Sequence, residues 1–101
     1  MTGAKEKFNA VAVEVAGSTT SQRGEVYRTA KAVRTLLEQH GGRVVSSFTV
    51  DFPSKPVRVG LTAQFDDENM AHVMASGAKI FASDRMGIAV TTKLDTLKTG
   101  S

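Results

Sequence analysis

A chain of 101 residues with a net charge of +3 is long enough for one domain and one core. It contains no cysteine, which excludes disulfides, thiolate metal sites and thiol nucleophiles. No apolar run approaches the ~18 residues of a membrane span, and no catalytic or cofactor motif stands out.

The charge is unevenly placed. Residues 23 to 43 hold Arg23, Arg28, Lys31, Arg34 and Arg43 against Glu25 and Glu38, so this stretch carries the whole excess and the remainder is neutral. A local basic excess points to an acidic partner more than an even spread does. The start, Met1-Thr2-Gly3-Ala4-Lys5-Glu6-Lys7, is charged and leads straight into a strand-like segment. With no apolar leader and no cysteine, the expectation is a cytoplasmic protein of one domain over residues 1–101, frayed at 1–6 and 98–101.

The first element is a half-buried strand. Across Phe8 to Ala16, Val11, Val13 and Val15 take one face while Ala10, Ala12 and Glu14 take the other. A loop of Gly, Ser, Thr, Gln and Arg runs from Gly17 to Gly24. The period then becomes helical: Val26, Ala30, Val33 and Leu37 form one stripe, and Arg34 can pair with Glu38 one turn on. Gly41-Gly42 predicts the helix end, since glycine enters the left-handed cap conformation without a Cβ penalty.

Arg43 to Asp51, with Val44, Val45, Phe48 and Val50, reads as a second strand. Pro53 and Pro56 mark a connection, because proline cannot donate to a strand ladder. Val57, Val59, Leu61, Ala63 and Phe65 then alternate with Arg58, Gly60, Thr62 and Gln64, which predicts a third strand paired to the second as a hairpin. Asp66-Asp67-Glu68-Asn69 suits the positive end of a helix dipole. Met70, Val73, Met74, Gly77 and Phe81 are the expected buried stripe of that helix, with Gly77 allowing close approach to the sheet. Ala82 to Gly87 is a loop, and Ile88, Val90, Thr92 and Leu94 mark a last strand.

The order βαββαβ predicts an α+β, ferredoxin-like sandwich. Its four-stranded antiparallel sheet, in spatial order 4-1-3-2, carries both helices on one face. Gly24 before a helix ending at Gly41-Gly42, followed by a strand pair, resembles in outline the ligand-sensing ACT family. That family's Asp-x-Pro-Gly-type loop is replaced here by Ser21-Gln22-Arg23-Gly24. The acylphosphatase family shares the fold and places an arginine in this loop. Its glycine-and-valine-rich loop motif is absent, and Val44-Val45-Ser46-Ser47 stands where its strand asparagine is expected. Both likenesses concern fold, and fold does not dictate function.

Three surfaces then compete. The uncovered sheet face would present Ala10, Ala12, Glu14, Arg58, Gly60, Thr62 and Gln64, flanked by Ala89, Thr91 and Lys93. That flat platform of small residues suits a second copy of the chain or another protein, although antiparallel sheets often leave one face to water. Its central strands offer no aromatic after Phe8 on which single-stranded nucleic acid could stack. The second surface is the basic helix, where Arg28, Lys31 and Arg34 could contact a nucleic acid or other polyanion. The third is the loop with Ser18, Thr19, Thr20, Ser21 and Arg23, which could cradle an anionic ligand or substrate at a helix N-terminus. Against it, Glu25 follows Gly24 where a phosphate loop has lysine. His40 and His72 lack the spaced companions of a metal site. The leading expectation is a non-enzymatic, self-associating interaction module, a homodimer or the partner of another protein, without cofactor, metal or membrane.

Overall fold

The computed structural model describes residues 8–96, so both proposed frayed tails lie outside the described residues. Its elements are β1 (Ala10–Gly17), α1 (Arg23–Gln39), β2 (Arg43–Val50), β3 (Arg58–Gln64), α2 (Glu68–Phe81) and β4 (Ile88–Asp95), with a short 3-10 turn at Thr20–Gln22 before α1. All strand pairs are antiparallel, in the order β2-β3-β1-β4. This is the expected 4-1-3-2 sheet read from its other edge.

The core lies between the sheet and the helices. Val11, Val13 and Val15 of β1 meet Leu61 and Ala63 of β3, closed over by Val26, Ala30, Val33 and Leu37 of α1. The helix stripe is thus the expected one, joined by the fully buried Thr29. α1 stops where its glycines require. Gly41 adopts φ +91°, its N–H bonds to Glu38 O, and the Gly42 N–H bonds back to Leu37 O at 2.9 Å. That pair of bonds is a Schellman termination and satisfies carbonyls the helix would otherwise leave open. Gly42 also has to be small, since a Cβ there would come within 2.8 Å of both Leu37 O and the Phe65 ring.

α2 starts as its acidic run predicts, with the Asp67 carboxylate accepting from the Asn69 N–H at 2.8 Å. Its buried stripe is the expected one only in part. Met74 is buried and Met70 packs against the core, but Ala71 and Ala78 face the core in place of Val73 and Phe81, which are 59% and 41% exposed. Two adjacent stripes were open to this sequence, and close packing selects the one rich in alanine. A helix lined by alanine sits nearer the valine-rich sheet, near enough for Thr92 Oγ1 of β4 to donate to Ala75 O at 2.7 Å. Gly77 has no part in that approach, because a Cβ there would meet nothing but Met74 of its own helix.

The second departure is in β2. Val44 opposes Ala63, but Ser46 opposes Thr62, so Val45 is an extra residue and the ladder bulges there. Beyond the bulge every side chain of β2 changes face. Ser47 and Thr49 stand opposite Leu61 and Val59 on the helix side, and Phe48 and Val50 stand opposite Gly60 and Arg58 on the open side.

Candidate functional site

The ladders assign the open face row by row. Val50, Arg58, Ala16 and Ala89 form one row; Phe48, Gly60, Glu14 and Thr91 form the next. Ser46, Thr62, Ala12 and Lys93 form the third, and Arg43, Gln64, Ala10 and Asp95 lie beyond it. The sequence-predicted face residues are therefore brought together on one surface. Two of them are not accessible, since Ala10 is fully buried and Gln64 is 9% exposed. Arg58 reaches diagonally to Glu14 at 3.4 Å, so those charges answer one another.

The expected bare platform is incomplete in one respect: it carries an aromatic. Phe48, half exposed, lays its ring over Gly60, so closely that any Cβ on Gly60 would collide with it. Val50 and the 57%-exposed Phe52 continue the apolar line toward the hairpin connection. The alternation in the chain gives no warning of this: Phe48, Val50 and Phe52 lie an even number of residues from Val44 and would share its face but for the extra residue at Val45.

Two grooves indent the face. The first, about 320 Å³, runs across the sheet with Ala12 and Thr62 in its floor, Phe48 and Ser46 on one side, and Thr91 and Lys93 on the other. The second, about 360 Å³, is lined by Ala16, Val50, Phe52, Lys55 and Arg58 at the hairpin end. Along the first groove, the hydroxyls of Ser46, Thr62 and Thr91 and the ammonium of Lys93 have no hydrogen-bond or ionic partner among the described residues.

The loop before α1 is closed on itself. Gln22 Oε1 accepts from the Ser18 N–H at 2.7 Å and the Thr19 N–H at 3.0 Å, taking the donors an anion would use. Ser18 Oγ donates to Gly87 O at 2.8 Å, and Thr19 Oγ1 and Ser21 Oγ bond to each other. Thr20 is exposed. Arg23 leaves the loop and pairs with Asp51 at 2.5 Å. Asp51 Oδ2 also accepts from the Tyr27 hydroxyl at 2.7 Å, and that bond holds the phenol pKa above its ordinary value. Tyr27 and Asp51 thus fasten the first turn of α1 to the end of β2.

The cations of α1 are similarly engaged. Arg28 pairs with Glu25, whose carboxyl pKa that bond lowers, and Arg34 pairs with Glu38 at 3.5 Å. Lys31 is left as the helix cation without a partner among the described residues. His40 caps α1 with Nδ1 against Leu36 O, and His72 meets Phe8 edge to face. Among the described residues no group of three or more His, Cys, Asp or Glu could hold a metal ion, and no helix is long and apolar enough to cross a membrane.

No family model matches the chain, and no curated protein sequence shows significant similarity to it. Solved structures do resemble it. The de novo designed protein Foldit4 has a TM-score of 0.64 at 13% identity, over 88% of this chain and 97% of that one. A dimeric ferredoxin-like protein from an uncultured marine organism has a TM-score of 0.57 at 13% identity, over 96% of this chain and all of that one. The C-terminal domain of the MgtC protein from Mycobacterium tuberculosis has a TM-score of 0.56 at 7% identity, over 98% of this chain and all of that one. At such identities the likeness speaks for fold alone, and with the element order and sheet topology it establishes that the chain adopts the ferredoxin-like fold.

Proposed function

We propose that the protein is a small binding module that acts as a pair of identical chains stacked through their open sheet faces. The observation that carries this reading is the phase of β2. A strand with one buried face turns its apolar side chains toward the core. β2 does the opposite beyond its bulge, with Ser47 and Thr49 on the helix side and Phe48 and Val50 on the open side. That choice suits a face that another layer covers.

Charge and size agree with a second copy as the cover. The ionised residues of the face, Arg43, Arg58 and Lys93 against Glu14 and Asp95, leave an excess of +1, and Arg43 is itself paired with Asp66, so two copies repel one another little. Strand rise and spacing give the face on the order of 500 Å² in projection. With side-chain relief added, that lies near the ~600–1,000 Å² per partner of a stable interface. One fold neighbour is itself described as dimeric.

Sedimentation velocity over a range of concentrations tests the pairing. The chain is expected to sediment as a dimer, and Phe48→Glu as a monomer with unchanged circular dichroism. A strictly monomeric chain at millimolar concentration would overturn the reading, as would a Phe48→Glu variant that dimerises normally.

A further inference from the structure

We infer that the groove across the open face is a binding site for a small monoanion with a flat apolar body, an aromatic carboxylate being the chemistry it fits. The inference deepens the pairing reading above and rests on it for the lid that excludes water.

The groove is built as a trough. Small residues of the central strands, Ala12 and Thr62, make the floor, and taller side chains of the edge strands make the walls. One wall is the Phe48 ring, pinned in place over Gly60. The other carries Lys93. A planar ligand lying on the floor meets an aromatic surface on one side and a cation on the other. Offset or edge-to-face ring contacts of this type contribute about 0.5–1.5 kcal/mol beyond burial.

The polar groups define the sign of the ligand. Ser46, Thr62 and Lys93 share one row across the sheet, with Thr91 one row on, and none of their side-chain donors has a partner among the described residues. Of the other charges lining or bordering this part of the face, Glu14 and Arg58 are committed to each other, and Asp95 lies one row beyond Lys93 with no ion pair between them. The cation that lines the groove without an ionic partner among the described residues is therefore Lys93, which matches one carboxylate. Hydroxyls can donate the remaining hydrogen bonds, and apolar floor and ring take the rest of the molecule. At about 320 Å³ the groove is at the small end of ligand sites, which run from ~300 to ~1,000 Å³. A bicyclic aromatic acid is the upper size it admits.

Two-dimensional amide NMR of the full chain, titrated with 2-naphthoate and separately with neutral 2-naphthamide, tests the site. The acid is expected to give saturable shifts centred on Ser46, Thr62 and Lys93, with an affinity at least tenfold above that of the amide. Lys93→Gln is expected to abolish the difference. Phe48→Leu, which keeps the face apolar, is expected to weaken both probes several-fold. Saturable binding by a chain that stays monomeric would uphold the site and overturn only the pairing. A dimer showing no saturable shifts, or shifts away from these rows, would overturn the site and leave the pairing standing. Equal affinity for acid and amide, or unimpaired acid binding by Lys93→Gln, would overturn the assignment of an anion.

Discussion

Phe48 on β2 and Gly60 on β3 stand directly opposite each other, and the phenyl ring occupies the space a Gly60 side chain would fill. Glycine inside a strand ordinarily weakens it, so its place here is explained by the ring above it. Gly60→Ala is expected to lower stability by about 1–3 kcal/mol through overpacking. In a Phe48→Ala background the same change becomes neutral or stabilising, because the collision is gone and alanine restricts the unfolded chain. Thermal unfolding of the four proteins in this cycle measures the coupling. Purely additive effects would show that the two positions do not interact.

Thr29 presents the opposite case, a polar group in a place where nothing answers it. Its side chain is fully buried under α1, and Oγ1 has no hydrogen-bond partner among the described residues. Leaving a buried hydroxyl unsatisfied costs about 1–3 kcal/mol. Thr29→Val keeps the shape and removes that cost, so it is expected to stabilise the protein by about 1 kcal/mol. For a chain of this size that corresponds to ~4–8 °C in melting temperature. A lower melting temperature for Thr29→Val would show that the hydroxyl is satisfied in solution.

Gln22 joins the two loops at the end of the sheet. It accepts from Ser18 and Thr19 and donates to Met86 O, passing beside Gly87, whose φ is +77°. Gly87→Ala would place a Cβ in that carboxamide and hold a non-glycine residue in the left-handed region. The expected cost is roughly 1–2 kcal/mol from the backbone alone, with the collision added. In a Gln22→Ala background the collision disappears and the backbone cost remains, so Gly87→Ala should destabilise less there. Chemical denaturation of both backgrounds reads the difference.

Tyr27 and Glu25 set opposite ends of a pH profile. Tyr27 donates to Asp51, which raises its pKa above 10.0. The neutral phenol is thus favoured in the folded state, and this contribution to stability is full below about pH 10 and fades as pH rises through the raised value. Glu25 is lowered below 4.5 by Arg28, so its contribution is full above pH 4.5 and fades as pH falls through the lowered value. Tyr27 is the only tyrosine and there is no tryptophan, so absorbance near the phenolate band follows it without interference. Its native midpoint is expected above 10.0 and to drop in Asp51→Ala. An unchanged midpoint in that variant would remove the assigned cause.

Much of this architecture is written locally. The alternation of Val11, Val13 and Val15, the stripe from Val26 to Leu37, the glycine pair after α1 and the acidic start of α2 each encode an element through its own period or cap. The right-handed crossover rule then leaves little choice of sheet order. Arg34 with Glu38 was equally legible, since helical spacing alone makes them neighbours.

What local pattern could not decide is which way an element faces once it packs. α2 has two adjacent stripes, and the close approach of helix to sheet selects Ala71, Met74 and Ala78 over Val73 and Phe81. Partners distant in the chain are also invisible to periodicity: Gln22 with the 86–87 turn, Arg23 and Tyr27 with Asp51. The open face shows the division most clearly. The sequence by itself determined that a face rich in small residues would lie opposite the helices. Only the tertiary structure, through one extra residue at Val45 that reverses every later side chain of β2, put Phe48 onto it, because a strand's face is set by its register against its neighbour.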